Sequence, residues 1–440
     1  MEEMHLKIAM ISEHASPLAL AGGVDAGGQN VYVDSVARRL AAQGHQVDVL
    51  TRRDHPSLPA IVEMTPGVRV LHVDAGPSRF IPKEELLDFM PAFAHQAQFM
   101  LHGEGPYDAI HANFFMSGWV GLVLRPVLRA PLVTTFHALG LVRREHQGKA
   151  DAFPPARESI ERTLVRCSDR LIAECPQDRS DLVRLYDASP QRIETIPCGV
   201  DTQLFQPGLR SQARARLGLS QGEFIVLQLG RMVERKGIDN VIRALSLLPP
   251  SVPARLAVVG GESRFPDPQA SPELDRLMRL AHATGVIDRV SFVGRRDRAE
   301  LCDWYVAADV FVTTPWYEPF GITPLEAMAC ARPVIGSNVG GIAHTVCDGV
   351  TGYLVPPRQP LQLAHRLAEL YAQPRLAQAM GYAGLARVHH CFTWDQVARD
   401  LAGVFGSLAG RPVSALPRTF RPHLTRHVGS MARDLAGKRI

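Results

Sequence analysis

The sequence is poor in lysine. Only Lys7, Lys83, Lys149, Lys236 and Lys438 stand among 48 basic residues, so arginine is the default cation and each lysine invites a reason. The seven cysteines are odd in number and include no Cys-x-x-Cys pair, which argues against a disulfide framework and against structural zinc. Long hydrophobic runs are missing as well. No apolar run approaches the roughly 20 residues of a membrane helix, and residues 1–11 hold no long apolar stretch followed by a cleavage site, so a cytoplasmic protein with no integral membrane segment is expected. No Asp-x-Asp pair occurs, and no metal is required by anything in the pattern. A formal charge of +4 is too small to imply a nucleic-acid partner, although a mild positive field helps gather anionic substrates. Nothing in the composition sets an oligomeric state.

What is present is the material of a globular enzyme. With 46% hydrophobic and 21% charged residues over 440 positions, two cores of about 200 residues each are expected. A strand pattern at residues 6–11 runs into a glycine-rich loop, then into helical spacing at Val33, Val36, Ala37 and Leu40 that ends at Gly44, then into a second strand at 46–51. Strands are expected again at 68–73, 107–111, 132–136 and 171–174. That alternation builds α/β folds with parallel sheets. A turn-rich stretch at 198–208 breaks the pattern, and a strand starting at Phe224 opens a second α/β unit with strands at 256–259, 290–293, 310–313 and 333–336. Helical periodicity at 361–371, 375–389 and 394–408 closes it, the last helix being placed to reach across the boundary. Residues 411–440, cationic and without apolar periodicity, read as a surface tail.

Three segments carry chemistry. Gly22-Gly23-Val24-Asp25-Ala26-Gly27-Gly28-Gln29-Asn30 lies between a strand and a helix, where glycine lets backbone N–H groups approach an anion and the helix start adds a partial positive charge. A plain tight turn would look the same. Arg231 and Lys236 flank one loop after the strand at Phe224, so both can reach a diphosphate as it leaves; a solvated basic loop is the bland alternative. Glu318 ends an apolar strand, and Glu326 is expected in the first turn of a helix begun by Pro324. Carboxylates there can accept hydrogen bonds from the hydroxyl pairs of a sugar and a ribose, although Glu326 could instead complement the helix dipole.

Glu318, Pro319-Phe320-Gly321 and Glu326, with the Arg231 and Lys236 loop and the segment Gly27-Gly28-Gln29-Asn30-Val31-Tyr32, resemble the signature of the retaining glycosyltransferases of family 4 (glycosyl transferases group 1). The glycine segment is similar to that of the sucrose-phosphate synthase and mycothiol inositol-phosphate glycosyltransferase branch. The resemblance runs from about residue 6 to 405. It implies the GT-B fold: two Rossmann-like domains facing each other across a cleft, with an acceptor domain at 1–205, a nucleotide-sugar domain at 206–390, a helix at 391–410 returning toward the first domain, and the basic tail at 411–440.

The same resemblance implies roles. Arg231 and Lys236 neutralise the donor diphosphate, Glu326 holds the ribose, Glu318, Phe320 and Gly321 border the donor sugar, and Gly27 and Gly28 approach its phosphate. His137 matches the active-site histidine that contacts the donor sugar. His14, Asn30, Lys83 and Arg157 fall on the acceptor side, where Lys83 and Arg157 line up with cations that grip an acceptor phosphate. Phe114 and Ala138 depart from the mycothiol branch, which has tyrosine and threonine there, so two hydroxyl contacts are absent; that counts against inositol phosphate and leaves open a sugar phosphate such as fructose 6-phosphate or a different hydroxylated acceptor. A UDP-sugar is the donor expected by branch, with magnesium at most incidental on its diphosphate. The implied activity is retaining hexosyl transfer without an enzymic nucleophile. A nucleotide-sugar epimerase would need acid and base groups around the sugar beyond His137 and Glu318, and a non-catalytic sugar-nucleotide-binding protein would tolerate losing this constellation.

Overall fold

The computed structural model describes residues 5–19 and 27–411. Residues 22–26 of the glycine loop and nearly all of the basic tail, 412–440, lie outside the described residues. Among the described residues, the first eight strands in chain order form one sheet: β1 Lys7–Ile11, β2 Gln46–Arg52, β3 Ile61–Thr65, β4 Val68–Val73, β5 Ala109–Asn113, β6 Leu132–Thr135, β7 Arg170–Ala173 and β8 Ile193–Thr195. Their order is β3-β4-β2-β1-β5-β6-β7-β8, parallel except where β3 runs against β4. The remaining six form a second sheet: β9 Phe224–Leu229, β10 Ala254–Val259, β11 Val290–Gly294, β12 Val310–Thr313, β13 Val334–Ser337 and β14 Gly352–Val355, ordered β11-β10-β9-β12-β13-β14 and parallel throughout.

Most strands read from the sequence are buried on both faces; β9, for example, is buried at every position because helices cover both sides of a parallel sheet, whereas β11, a sheet edge, is only partly buried. Three strands escaped the pattern: β3, β8 and β14. Each is a short sheet edge, and β3 and β8 are largely exposed. The helix Gly28–Ala42 buries Val33, Val36, Ala37 and Leu40, as their spacing requires. The helix containing Glu326 spans Ile322–Ala329 with Gly321 as its N-cap. Glu326 therefore lies in the second turn, beyond the reach of the N-terminal N–H groups, which corrects the first-turn placement.

The chain crosses between the two sheets twice at nearly the same place. Val200 N–H bonds to Phe392 O at 2.9 Å and Val200 pairs with Thr393. The helix Trp394–Leu408 then packs its face of Trp394, Val397, Ala398, Leu401 and Phe405 on the helix Gly28–Ala42, so one apolar cluster joins residues of both units. Asp395 also meets Arg39, at 3.6 Å.

Candidate active site

Strand order reverses direction once in each sheet, between β1 and β5 and between β9 and β12. Crevices beyond the carboxyl ends of strands at such reversals are where open α/β sheets bind ligands. Here the loops leaving β1, β5, β9 and β12 line a single cleft of about 320 Å³. It gathers every residue singled out from the sequence: His14, Gly27, Gly28, Asn30, Lys83, His137 and Arg157 from the first unit, and Arg231, Lys236, Glu318, Phe320, Gly321 and Glu326 from the second.

The two motif loops of the second unit meet because glycine lets their backbones touch. A Cβ on Gly237 would stand 2.0 Å from Thr314 O, and Gly237 takes a φ of +66°. The contact is locked by Thr314 Oγ1 donating to Gly237 O at 2.8 Å and Trp316 N–H donating to Arg235 O at 2.9 Å. Behind Glu318, Gly340 has a φ of +47° and no room for a side chain, a Cβ there falling 1.9 Å from Glu318 O. The result is a direct hydrogen bond from Lys236 Nζ to Glu318 Oε2, with Arg235 3.8 Å from the same oxygen. Lys236 is thus a largely enclosed, ion-paired residue rather than a solvated loop cation.

Electrostatics follow from that enclosure. Burial lowers the Lys236 ammonium from its ordinary pKa, outweighing the pull of Glu318, with Arg235 and Arg231 adding to the effect. Burial alone would raise the Glu318 carboxyl, but Lys236, Arg235 and Arg231 together hold it below the usual carboxylate range. Glu326 behaves oppositely. Burial raises its carboxyl, and Arg298, 3.9 Å away, together with the 2.8 Å hydrogen bond from Tyr305, offsets this only in part.

On the first unit's wall, Arg157 is 2% exposed rather than a surface arginine. Its guanidinium stands 4.4 Å from the centre of the Phe153 ring, 4.8 Å from Phe115 and 5.0 Å from Phe114. Nε donates to Glu161 at 2.8 Å, Nη2 donates to the Ala138 carbonyl, and Nη1 is buried without a partner. Lys83 opens a short turn and lies 3.3 Å from Glu84. His14 Nδ1 meets the buried Glu13 at 2.8 Å, and its ring lies edge-on to Phe114. Asn30 lines the cleft, but its amide ties the loop together: Oδ1 accepts from Gly27 N–H and Nδ2 donates to Ser16 O, both at 2.9 Å.

His137 has a left-handed backbone, with a φ of +57°. Both its ring nitrogens are engaged by protein, Nδ1 with Glu174 at 2.9 Å and Nε2 with Asn113 Oδ1 at 3.0 Å. Sequence reasoning missed Glu174, Asn113, Arg298 and Tyr317. Tyr317 spans the two units, its hydroxyl accepting from Gln147 Nε2 and its ring stacked 4.9 Å from that of His146. Glu174, Asn113 and Arg298 sit outside any compact motif, and Tyr317, which directly precedes Glu318, had no role in the sequence reading. The one available signal was position, since Asn113 and Glu174 end or follow buried strands.

Two parallel α/β units that face each other across such a cleft, with basic and acidic loops converging from one of them, define a GT-B glycosyltransferase. Comparison with known proteins agrees. The glycosyl transferases group 1 family matches residues 210–387, and glycosyltransferase family 4 matches residues 26–204. D-inositol 3-phosphate glycosyltransferase 1 of Catenulispora acidiphila is 40% identical over 416 residues, covering 92% of this chain and 98% of its own. The D-inositol 3-phosphate glycosyltransferase of Corynebacterium diphtheriae is 36% identical, covering 92% and 96%. Among solved structures, sucrose-phosphate synthase from Thermosynechococcus elongatus superposes with a TM-score of 0.84 at 37% identity, covering 92% of this chain and 99% of that one. Anabaena HepE in complex with UDP and glucose shares the fold, with a TM-score of 0.70 at 21% identity and coverage of 92% and 100%. The chain belongs to the family 4 glycosyltransferases and is a glycosyltransferase. No helix among the described residues is long and apolar enough to cross a membrane.

Proposed function

We propose that the enzyme acts in the cytoplasm and transfers a hexosyl unit, with retention, from a UDP-sugar to a hydroxyl of a small phosphorylated sugar or cyclitol. The observation that carries this reading is the meeting of Arg231, Lys236, Glu318 and Glu326 on one wall of a cleft whose other wall presents Lys83 and Arg157. In this reading, residues 206–390 hold the donor and residues 1–205 the acceptor. Arg231 and Lys236 stabilise the diphosphate as the bond from C1 to the phosphate oxygen breaks, Glu326 binds the ribose, and Glu318 binds the sugar. The backbone at Gly27 and Gly28, at the start of the helix Gly28–Ala42, approaches the phosphate. His137 borders the donor sugar.

Each carboxylate lining the cleft is engaged by a protein donor: Glu318 by Lys236, Glu326 by Tyr305 and Glu174 by His137. This supports a front-face displacement in which the acceptor oxygen bonds C1 from the side the leaving group departs and the phosphate oxygen takes the acceptor's proton. Any magnesium would ride on the diphosphate. The relatives named for D-inositol 3-phosphate support a phosphorylated acceptor, while Phe114 and Ala138 leave sugar phosphates such as fructose 6-phosphate as candidates equal to a cyclitol phosphate.

Thermal shifts with UDP-, GDP- and ADP-sugars test the donor. A UDP-sugar should raise Tm with concentration, and a larger rise with another nucleotide overturns the assignment. Comparing phosphorylated with free acceptors, in the wild type and in Lys83→Ala, tests the phosphate grip. Equal use of both acceptors by both proteins removes it.

A further inference from the structure

Glu174 is 3% exposed and directly follows β7. A buried carboxylate needs partners, and Glu174 has two on one oxygen: His137 Nδ1 at 2.9 Å and Cys198 Sγ, which donates at 3.1 Å. On the far side of the His137 ring, Nε2 faces Asn113 Oδ1, an orientation fixed because Asn113 Nδ2 donates to Ile11 O at 3.3 Å. The Tyr32 ring lies edge-on to the imidazole at 4.7 Å. The imidazole is therefore clamped by protein at both nitrogens and by an aromatic neighbour, and it anchors a turn whose backbone is left-handed at His137, a conformation that persists only when its surroundings impose it. The next residue, Ala138, receives Arg157 through its carbonyl, so the same turn supports the acceptor wall.

Glu174 also reaches the place where the chain changes domain. Cys198 precedes Gly199 and Val200, and a Cβ on Gly199 would stand 2.6 Å from Trp394 N, so both crossings press together beside Cys198. Nearby Asp178 is pushed up to about 8, chiefly by burial and then by Glu174, whereas Glu174 itself is held below its usual value, the pull of His137 and Cys198 exceeding the effect of burial.

We infer that Glu174 is a positioning residue that fixes the His137–Ala138 turn and ties it to the interdomain crossing. The inference rests on the placement of His137 at the reacting centre. Glu174→Gln keeps the shape and removes the charge; it should lower kcat about tenfold to a hundredfold, as expected for a small misplacement of reacting groups, while leaving KM for the donor near wild type. The assay is UDP release from UDP-glucose with fructose 6-phosphate. In a double-mutant cycle, Glu174→Gln should cost nothing more once His137→Ala is present; additive losses overturn the inference. A wild-type kcat in Glu174→Gln overturns it as well, whereas a wild-type kcat in His137→Ala instead overturns the role given to His137. Histidine nitrogen NMR of the full chain decides independently of turnover: the slowly exchanging Nδ1 proton of His137 should be present in wild type and lost in Glu174→Ala, which removes the acceptor, and its persistence there refutes the clamp. Glu174→Asp, which keeps the charge with a shorter reach, should retain the fold and show a smaller kcat loss, so a folding defect in the glutamine variant does not spare the inference.

Discussion

The two walls of the cleft use cations in different ways. On the second unit, Lys236 is joined to Glu318 with Arg235 close by, in a loop pair drawn together by the backbone contact at Gly237 and backed by Gly340 behind Glu318. On the first unit, Arg157 is set among three phenylalanine rings and held by Glu161, which also accepts from Gly140 N–H and Tyr186. The first arrangement keeps charge adjustable, because opposite charges in one loop pair can exchange partners with a diphosphate. The second fixes a planar cation by packing, which suits recognition of a group of defined shape. In the proposed function this separates donor chemistry from acceptor selection between the two sheets.

The sharpest break of that comparison is Lys236→Ala. Initial rates should fall about a hundredfold to a thousandfold, the scale for removing one preorganised donor of charge stabilisation. Because Glu318 loses its nearest counter-charge, Tm should fall too, and turnover within tenfold of wild type would show that the diphosphate is neutralised elsewhere. Next comes Arg157→Ala, which leaves Glu161 buried without its cation and opens space among the rings; chemical denaturation should show a loss of about 3–5 kcal/mol. A loss below about 1 kcal/mol would mean the arginine is held only loosely.

A smaller effect is expected from the pair Phe114→Tyr and Ala138→Thr, which introduces two hydroxyls on the first wall. The ratio of kcat/KM for inositol phosphate over fructose 6-phosphate should rise about tenfold, the worth of roughly one well-made hydrogen bond. No change in the ratio would place acceptor choice on other residues. The mildest is a pH effect. Glu318 is held below its ordinary value of 4.5 in the folded protein, so it contributes stability that is present above that value and lost as pH falls through the lower folded one. The Tm difference between wild type and Glu318→Gln should therefore shrink on acidification below about 4.5; a constant difference from pH 7 to pH 3 would contradict the assigned charge.

Much of this was legible before any fold was known. Buried parallel strands and amphipathic helices announce themselves, so β1, β9 and the helix Trp394–Leu408 were readable, while the exposed edges β3 and β8 and the short edge β14 were not. Arg231, Lys236, Glu318 and Glu326 were readable because each pair lies on a short segment after a strand. Glu174 was hidden because its meaning depends on His137, 37 residues earlier, and on Cys198, 24 residues later.

By itself the sequence determined the α/β class, the loops that carry charge and the family those loops resemble, since strand burial, helix periodicity and short motifs are local properties. Only the tertiary structure decided that Lys236 is paired with Glu318, that Arg157 is buried among rings, and that His137 is clamped at both nitrogens. Those facts depend on which strand ends become neighbours, and that is set by sheet order and by the second crossing of the chain.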